Sequence, residues 1–294
     1  MVHFLDLTIN GLMLGGLYAL LAVSIVLVFK ATSVVSLAHG QILAFAALAF
    51  CVAFVWIGLP LWLSLLLCLI IGAVLGFVVE RFCLRPLIGQ SLFSAFLMTF
   101  AVFMVLDGIF QLILKGVAQG FPDFLPTGQV YLGSITIPVG QLVSFGISLI
   151  VFLLLALFFR YTKLGLGMRA TAEDHQLAQS AGISVKTIFS MVWIISSVAA
   201  AVAGLALARV MDVHYPLPWL GVKGLVVALF GGLDSLPGAL VAGLVLGVLE
   251  TIGSGYLDPF VGGGVKEVAA YVVLLFILLI RPYGLFGLAR IERI

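Results

Sequence analysis

Apolar runs long enough to cross a bilayer alternate with short polar connectors from one end of the chain to the other. Gly11–Phe29 is the first and stops at Lys30; after a polar patch, Ala31–Ser36, the second covers Ala38–Ile57 until Gly58 and Pro60 break it. Leu61–Val79, Leu92–Leu114, Val139–Phe159 and Thr187–Ala208 follow, and Val265–Ile280 is the last. A hydrocarbon core about 30 Å thick takes roughly 20 apolar residues as helix. Backbone groups find no water there, so each run must close its own hydrogen bonds. The runs lack the alternating polar positions of a lumen-filled barrel.

Two pieces break this pattern. Gly221–Phe230 and Pro237–Ile252 are separated by Gly231-Gly232-Leu233-Asp234-Ser235, and the first is too short to cross alone. A broken or re-entrant segment is therefore predicted near 221–252, held where protein or a wetted cavity satisfies the freed backbone. The whole reads as an all-α polytopic membrane protein of about eight transmembrane helices, in a range of roughly seven to nine, forming one membrane domain over 1–294. Lys115–Pro138 reads as a surface segment with two short strands, Gln129–Leu132 and Ser134–Ile137. Ser36-Leu37-Ala38-His39-Gly40 and Ser235-Leu236-Pro237-Gly238 echo each other weakly, as turns of an inverted repeat beside a midplane pathway would. His39, Gly40, Gly231, Gly232, Asp234 and Ser235 are accordingly the pathway candidates.

Composition agrees. Of 294 residues 64% are hydrophobic and 9% charged, too few to coat a water-soluble domain, where about 25% is usual. Lys and Arg set the orientation. The connectors after spans one, three and five, with the tail, hold ten of them against four on the other side, which predicts an outside N-terminus and a cytoplasmic C-terminus. The N-terminus lacks a cationic leader and cleavage site, so the first run is expected to be retained. Cys51, Cys68 and Cys83 lie in or beside apolar runs and read as small packing residues. The four histidines sit on different connectors, offering neither metal cluster nor catalytic constellation, and nothing points to nucleic acid.

The longest polar stretch, Arg160–Lys186, reads as a cytoplasmic loop. Gly165 and Gly167 loosen it; Thr171-Ala172-Glu173-Asp174 suggests a helix start with Thr171 as N-cap, and Gly182 a left-handed C-cap. A short helix with caps at both ends, among otherwise minimal connectors, is a docking element for a cytoplasmic partner. The chain has no phosphate-binding Gly-rich loop of its own, so any ATPase is another polypeptide.

Arg160-Tyr161-Thr162-Lys163-Leu164-Gly165, Arg169 through Asp174 and Ala181-Gly182-Ile183 resemble the cytoplasmic loop of LivH-type branched-chain amino-acid permeases. So do Ala38-His39-Gly40-Gln41, Glu80-Arg81 with Arg85-Pro86, and the run from Gly221-Val222-Lys223 through Gly231-Gly232-Leu233 to Ser235–Ala239 and Glu250. The resemblance implies the ABC importer permease fold in a bacterial inner membrane. It implies a LivM-like second permease chain, two cytoplasmic ABC ATPases and a periplasmic solute-binding protein. ATP and Mg would bind those partners, with no cofactor in this chain. Arg169, Thr171, Glu173, Asp174, His175 and Gly182 would then be the ATPase-coupling residues. Related systems carry urea, short amides or aromatic acids, and Asp234 stands where the family usually has a small residue.

Asp107 and Glu250 are acids inside apolar runs, costly unless paired or wetted. Arg209 or Lys266 are possible partners for Glu250, and Lys223 and Arg209 read as a basic outer rim that could meet a binding protein. Gly72-x-x-x-Gly76 and Gly243-x-x-x-Gly247 are read as close helix contacts. An ion-coupled secondary transporter is the alternative of another class, with Asp107 and Glu250 as its only intramembrane acids. A membrane-embedded enzyme lacks the clustered polar groups it would need.

Overall fold

The computed structural model describes residues 2–287 apart from 127, 133, 134 and 174. The first helix, α1 (Val2–Thr32), runs well past its apolar stretch. Its polar start is compatible with helix because Thr8 Oγ1 donates to the Phe4 carbonyl at 2.8 Å and Asn10 Nδ2 to that of Asp6 at 3.0 Å. Then come α2 (His39–Cys51), continued by one π-helical stretch over Val52–Trp56, and α3 (Leu61–Val78), continued likewise over Val79–Leu84. Helix α4 (Leu92–Leu114) starts on Ser91, whose hydroxyl accepts from the Ser94 amide at 3.1 Å. Strands β1 (Gln129–Leu132) and β2 (Ile135–Pro138) form an antiparallel hairpin, with Val130 opposite Ile137. After it follow α5 (Val139–Tyr161), α6 (Lys163–Glu173), α7 (His175–Ser180), α8 (Val185–Met211), α9 (Leu220–Gly231), α10 (Leu236–Val261) and α11 (Val265–Ile280).

Seven helices among the described residues are long and apolar enough to cross a membrane. The twelve residues of α9 and the sixteen of α11 bring the membrane-embedded set to the upper end of the expected range. Helix α1 is the axis of the bundle: residues 13–28 are almost wholly buried, whereas α3, α4 and α5 turn most of their surface outward. One face carries the ends of α1 and α5, the elbow made by α6 and α7, and the start of α8; the opposite face carries the β-hairpin. They are called below the elbow face and the hairpin face.

Small residues set the closest contacts. A Cβ on Gly243 would stand 2.7 Å from that of Ala19, and one on Gly11 would stand 2.7 Å from the Val248 Cα, so α1 and α10 touch backbone to backbone. Gly72 likewise meets Ala201 and Gly76 meets Ser197, seating α3 on α8. Lipid tails are as apolar as the helices, so helix association in a bilayer depends on such close packing rather than on hydrophobic burial.

Candidate functional site

The break predicted near 221–252 belongs to a larger device. After α1 reaches the elbow face the chain turns back into the bundle as non-helical backbone, residues 33–38, and Thr99 of α4 supports it. The Thr99 hydroxyl donates to the Val35 carbonyl at 3.2 Å and accepts from the Leu37 amide at 3.4 Å. Helix α2 then begins deep inside: His39 Nε2 lies 3.0 Å from Ser196 Oγ, eleven residues into α8, or about 16 Å at 1.5 Å per residue. The mirror arrangement follows α8. Residues 212–216 return from the hairpin face, a 3₁₀ turn over Leu217–Trp219 leads in, and α9 begins at the same depth as α2. There Gly40 and Gly221 cross: a Cβ on Gly40 would stand 2.9 Å from the Gly221 Cα.

From that crossing the two helices diverge. Helix α2 runs to the hairpin face, where Phe50 packs on Phe121 and Phe124. Helix α9 runs to the elbow face, where Gly231 meets Gly238 of α10 and the Phe230 carbonyl accepts from the Leu285 amide at 2.9 Å. The counterpart of the Ser36–Gly40 turn is therefore Leu217–Gly221, not Ser235–Gly238. Paired small residues and apolar starts were the available signal, but the Gly231-Gly232 break is the louder one in sequence.

The pathway candidates thus divide between two places. His39 and Gly40 sit at the crossing, fully buried, with His39 Nδ1 2.9 Å from Ser36 Oγ and its ring against Trp193. Gly231, Gly232, Asp234 and Ser235 lie at the elbow face between α9 and α10. Ser235 caps α10 by accepting from the Gly238 amide at 3.0 Å. Gly232, at φ +101°, lets the chain turn against Gly284 and Gly287. Asp234 is half-buried and within electrostatic reach of Lys30.

Two of the polar clusters within the bundle hold the intramembrane acids Glu250 and Asp107. In one, Glu250 of α10 accepts from the Tyr18 hydroxyl at 3.1 Å, and Lys223 of α9 lies 3.4 Å from Glu250 and 3.1 Å from Glu267 of α11. Lys223 is 3% exposed and Glu250 0%, so Lys223 is not part of an outer rim: its stem is enclosed by α1, α10 and α11 and it, not Arg209, is the partner of Glu250. Arg209 pairs with exposed Asp123 at 3.5 Å. In the other cluster Asp107 of α4, 7% exposed, accepts from Gln41 Nε2 at 3.0 Å and from Gln111 Nε2 at 2.5 Å. A snorkelling or capping role for Asp107 is thereby replaced by a contact with the buried start of α2.

At the elbow, α6 is helical from Lys163, so Gly165 and Gly167 do not loosen the chain. They let it fold tightly, Gly165 against the Phe159 carbonyl and Gly167 against Ile188. Thr171 is consequently inside a helix and fully buried, donating to the Gly167 carbonyl at 2.7 Å; it braces the elbow and is no N-cap. Arg169 donates to the Phe159 and Arg160 carbonyls that end α5. Glu173 is exposed at the corner. Asp174 and the side chain of His175 lie outside the described residues. Gly182, at φ +83°, closes α7: its amide donates to the Gln179 carbonyl at 2.9 Å and that of Ile183 to the Ala178 carbonyl at 3.0 Å, a Schellman pair. Among the described residues no group of three or more His, Cys, Asp or Glu could hold a metal ion.

Comparison with known proteins places this architecture. The family described as branched-chain amino acid transport system / permease component matches residues 7–281. The high-affinity branched-chain amino acid transport system permease protein BraD of Pseudomonas aeruginosa is 29% identical over 99% of this chain and 98% of its own length. The corresponding LivH protein of Salmonella typhimurium is 28% identical over 100% and 98%. A chain of PsaBC from Streptococcus pneumoniae, solved in complex with Fab, aligns with 93% of this chain and 91% of its own at a TM-score of 0.49 and 12% identity, a likeness too distant to bear on the site.

Proposed function

Because the chain belongs to the branched-chain amino acid transport system permease family, and is thus a multi-pass transport subunit of an ABC importer rather than an enzyme, we propose how it works within such a complex. It forms half of a translocation pathway for branched-chain amino acids, beside a LivM-like permease. A periplasmic binding protein docks on the hairpin face, and two cytoplasmic ATPases, which carry the ATP and Mg, grip the elbow. The N-terminus is outside and the C-terminus cytoplasmic.

The observation that carries this reading is the family match from residue 7 to residue 281, spanning every membrane helix. The geometry supplies a means of coupling. Arg169, Thr171, Glu173 and Gly182 belong to an elbow stitched to the end of α5 and leading into α8, so a push on α6 and α7 is delivered to both. Helix α8 carries Ser196, which holds His39 at the crossing of α2 and α9. Re-packing at the Gly40–Gly221 crossing is the step that would open one side and close the other, with Gly231, Gly232, Asp234 and Ser235 as the elbow-side hinge between α9 and α10.

The test is copurification from detergent with the partner ATPases. Glu173→Lys reverses a charge at the exposed corner and is expected to reduce recovered ATPase at least fivefold while membrane levels of the permease stay normal. Undiminished copurification removes the elbow from the interface.

A further inference from the structure

The second buried cluster has a feature that the fold does not require. Asp107 holds a carboxylate inside the bundle, and none of the ion pairs among the described residues gives it a cation. Contrast Glu250, which has Lys223. A carboxylate only accepts, so Gln41 must present Nε2 to it, which turns Gln41 Oε1 away. That oxygen has no hydrogen-bond partner, although Gln41 is 0% exposed. Buried acceptors are normally paired, and an intramembrane acid normally marks a functional contact. Two unsatisfied demands, for positive charge and for a hydrogen-bond donor, thus meet within one side chain's length.

A route leads to them. A pocket opens at the hairpin face, lined by Gln111, Gly116 and Ala118 at the end of α4 and by His214, Tyr215 and Pro216 of the returning segment before α9. Gln111 is exposed in that mouth and donates to Asp107, which in turn accepts from Gln41 in the first turn of α2. The polar groups therefore descend from the surface to the buried start of α2, whose first turn meets α9.

We propose that Asp107 and Gln41 receive the primary ammonium group of the transported amino acid. An ammonium has three donors and one positive charge: it neutralises the Asp107 carboxylate, whose oxygens each retain capacity for a second hydrogen bond, and donates to Gln41 Oε1. Gln111 stands at the threshold and hands the group inward. The site rests on the branched-chain amino acid reading given above and adds to it the residues that recognise the amino end.

The experiment uses the whole complex, with both permeases, ATPases and binding protein, in liposomes, and reads radiolabelled L-leucine accumulated per ATP hydrolysed. Asp107→Asn keeps the shape but removes the charge and leaves one acceptor oxygen for the two glutamine amides, so one of them must turn or lose its contact; the ratio is expected to fall at least tenfold, with Asp107→Glu recovering part of it. Gln41→Met, which removes the acceptor at similar volume, is expected to lower it severalfold and serves equally should the first variant not assemble. Ratios within twofold of wild type for an assembled variant overturn the site while leaving the importer reading intact. Wild-type uptake that collapses with a protonophore makes Asp107 a proton carrier and also overturns it. A wild-type complex that hydrolyses ATP but accumulates no leucine defeats the solute assignment itself, which distinguishes the two failures.

Discussion

Lys223 shows what one residue decides here. Its ammonium lies between Glu250 and Glu267, and Tyr18 donates to the same Glu250 carboxylate, so one cation ties α9 to α1, α10 and α11. Truncating one member of a buried ion pair leaves the other uncompensated, which costs about 3–5 kcal/mol in proteins generally. Lys223→Met is therefore expected to lower the unfolding temperature of the purified permease clearly, and adding Glu250→Gln to recover part of the loss. A single variant as stable as wild type would show that the pair carries no structural weight. In sequence Lys223 reads as an anchor at a water boundary, because a lysine near the start of an apolar run is usually that. Its burial follows only from α9 starting at mid-depth, a tertiary fact. Thr171 is misread for a related reason: Thr-x-x-Asp matches a helix start, but α6 has already begun at Lys163, and the hydroxyl takes the Gly167 carbonyl instead.

At the scale of elements, the boundaries marked by local chemistry were legible. Ser91 caps α4, Pro138 precedes α5 and Gly182 ends α7, and the corresponding limits follow from residue type alone. The small-residue spacing Gly243-x-x-x-Gly247 likewise pointed to close packing, although its partner surface on α1, Gly11, Gly15 and Ala19, could not be read from it. Gly243→Val should force α10 away from the Ala19 backbone, which cannot yield. The expected outcome is loss of folded permease by size-exclusion chromatography in detergent, while Gly108→Ala, with no atom within 4 Å of the added methyl, remains wild type. A monodisperse, stable Gly243→Val protein would mean that the α1–α10 contact is not as drawn. The crossing of α2 and α9 was the least legible element: apolar runs announce themselves as spans, and nothing in the run Ala38–Ile57 signals that it starts halfway through.

Across the whole molecule the arrangement is a buried axis, α1, ringed by helices that turn much of their surface outward, with α2 and α9, which both start inside the bundle, meeting beside it. Intramembrane charge is sparse, and the better-connected acid, Glu250, is already paired with Lys223. That leaves little machinery for drawing on an ion gradient, whereas the coupling proposed for the elbow takes its force from outside the bilayer. The most direct measurement is leucine uptake into liposomes under two conditions. The complete complex, supplied with binding protein and with ATP on the elbow side, is predicted to accumulate leucine, and to stop when ATP is withdrawn. Accumulation by the purified permease alone on an imposed proton or sodium gradient would contradict the account.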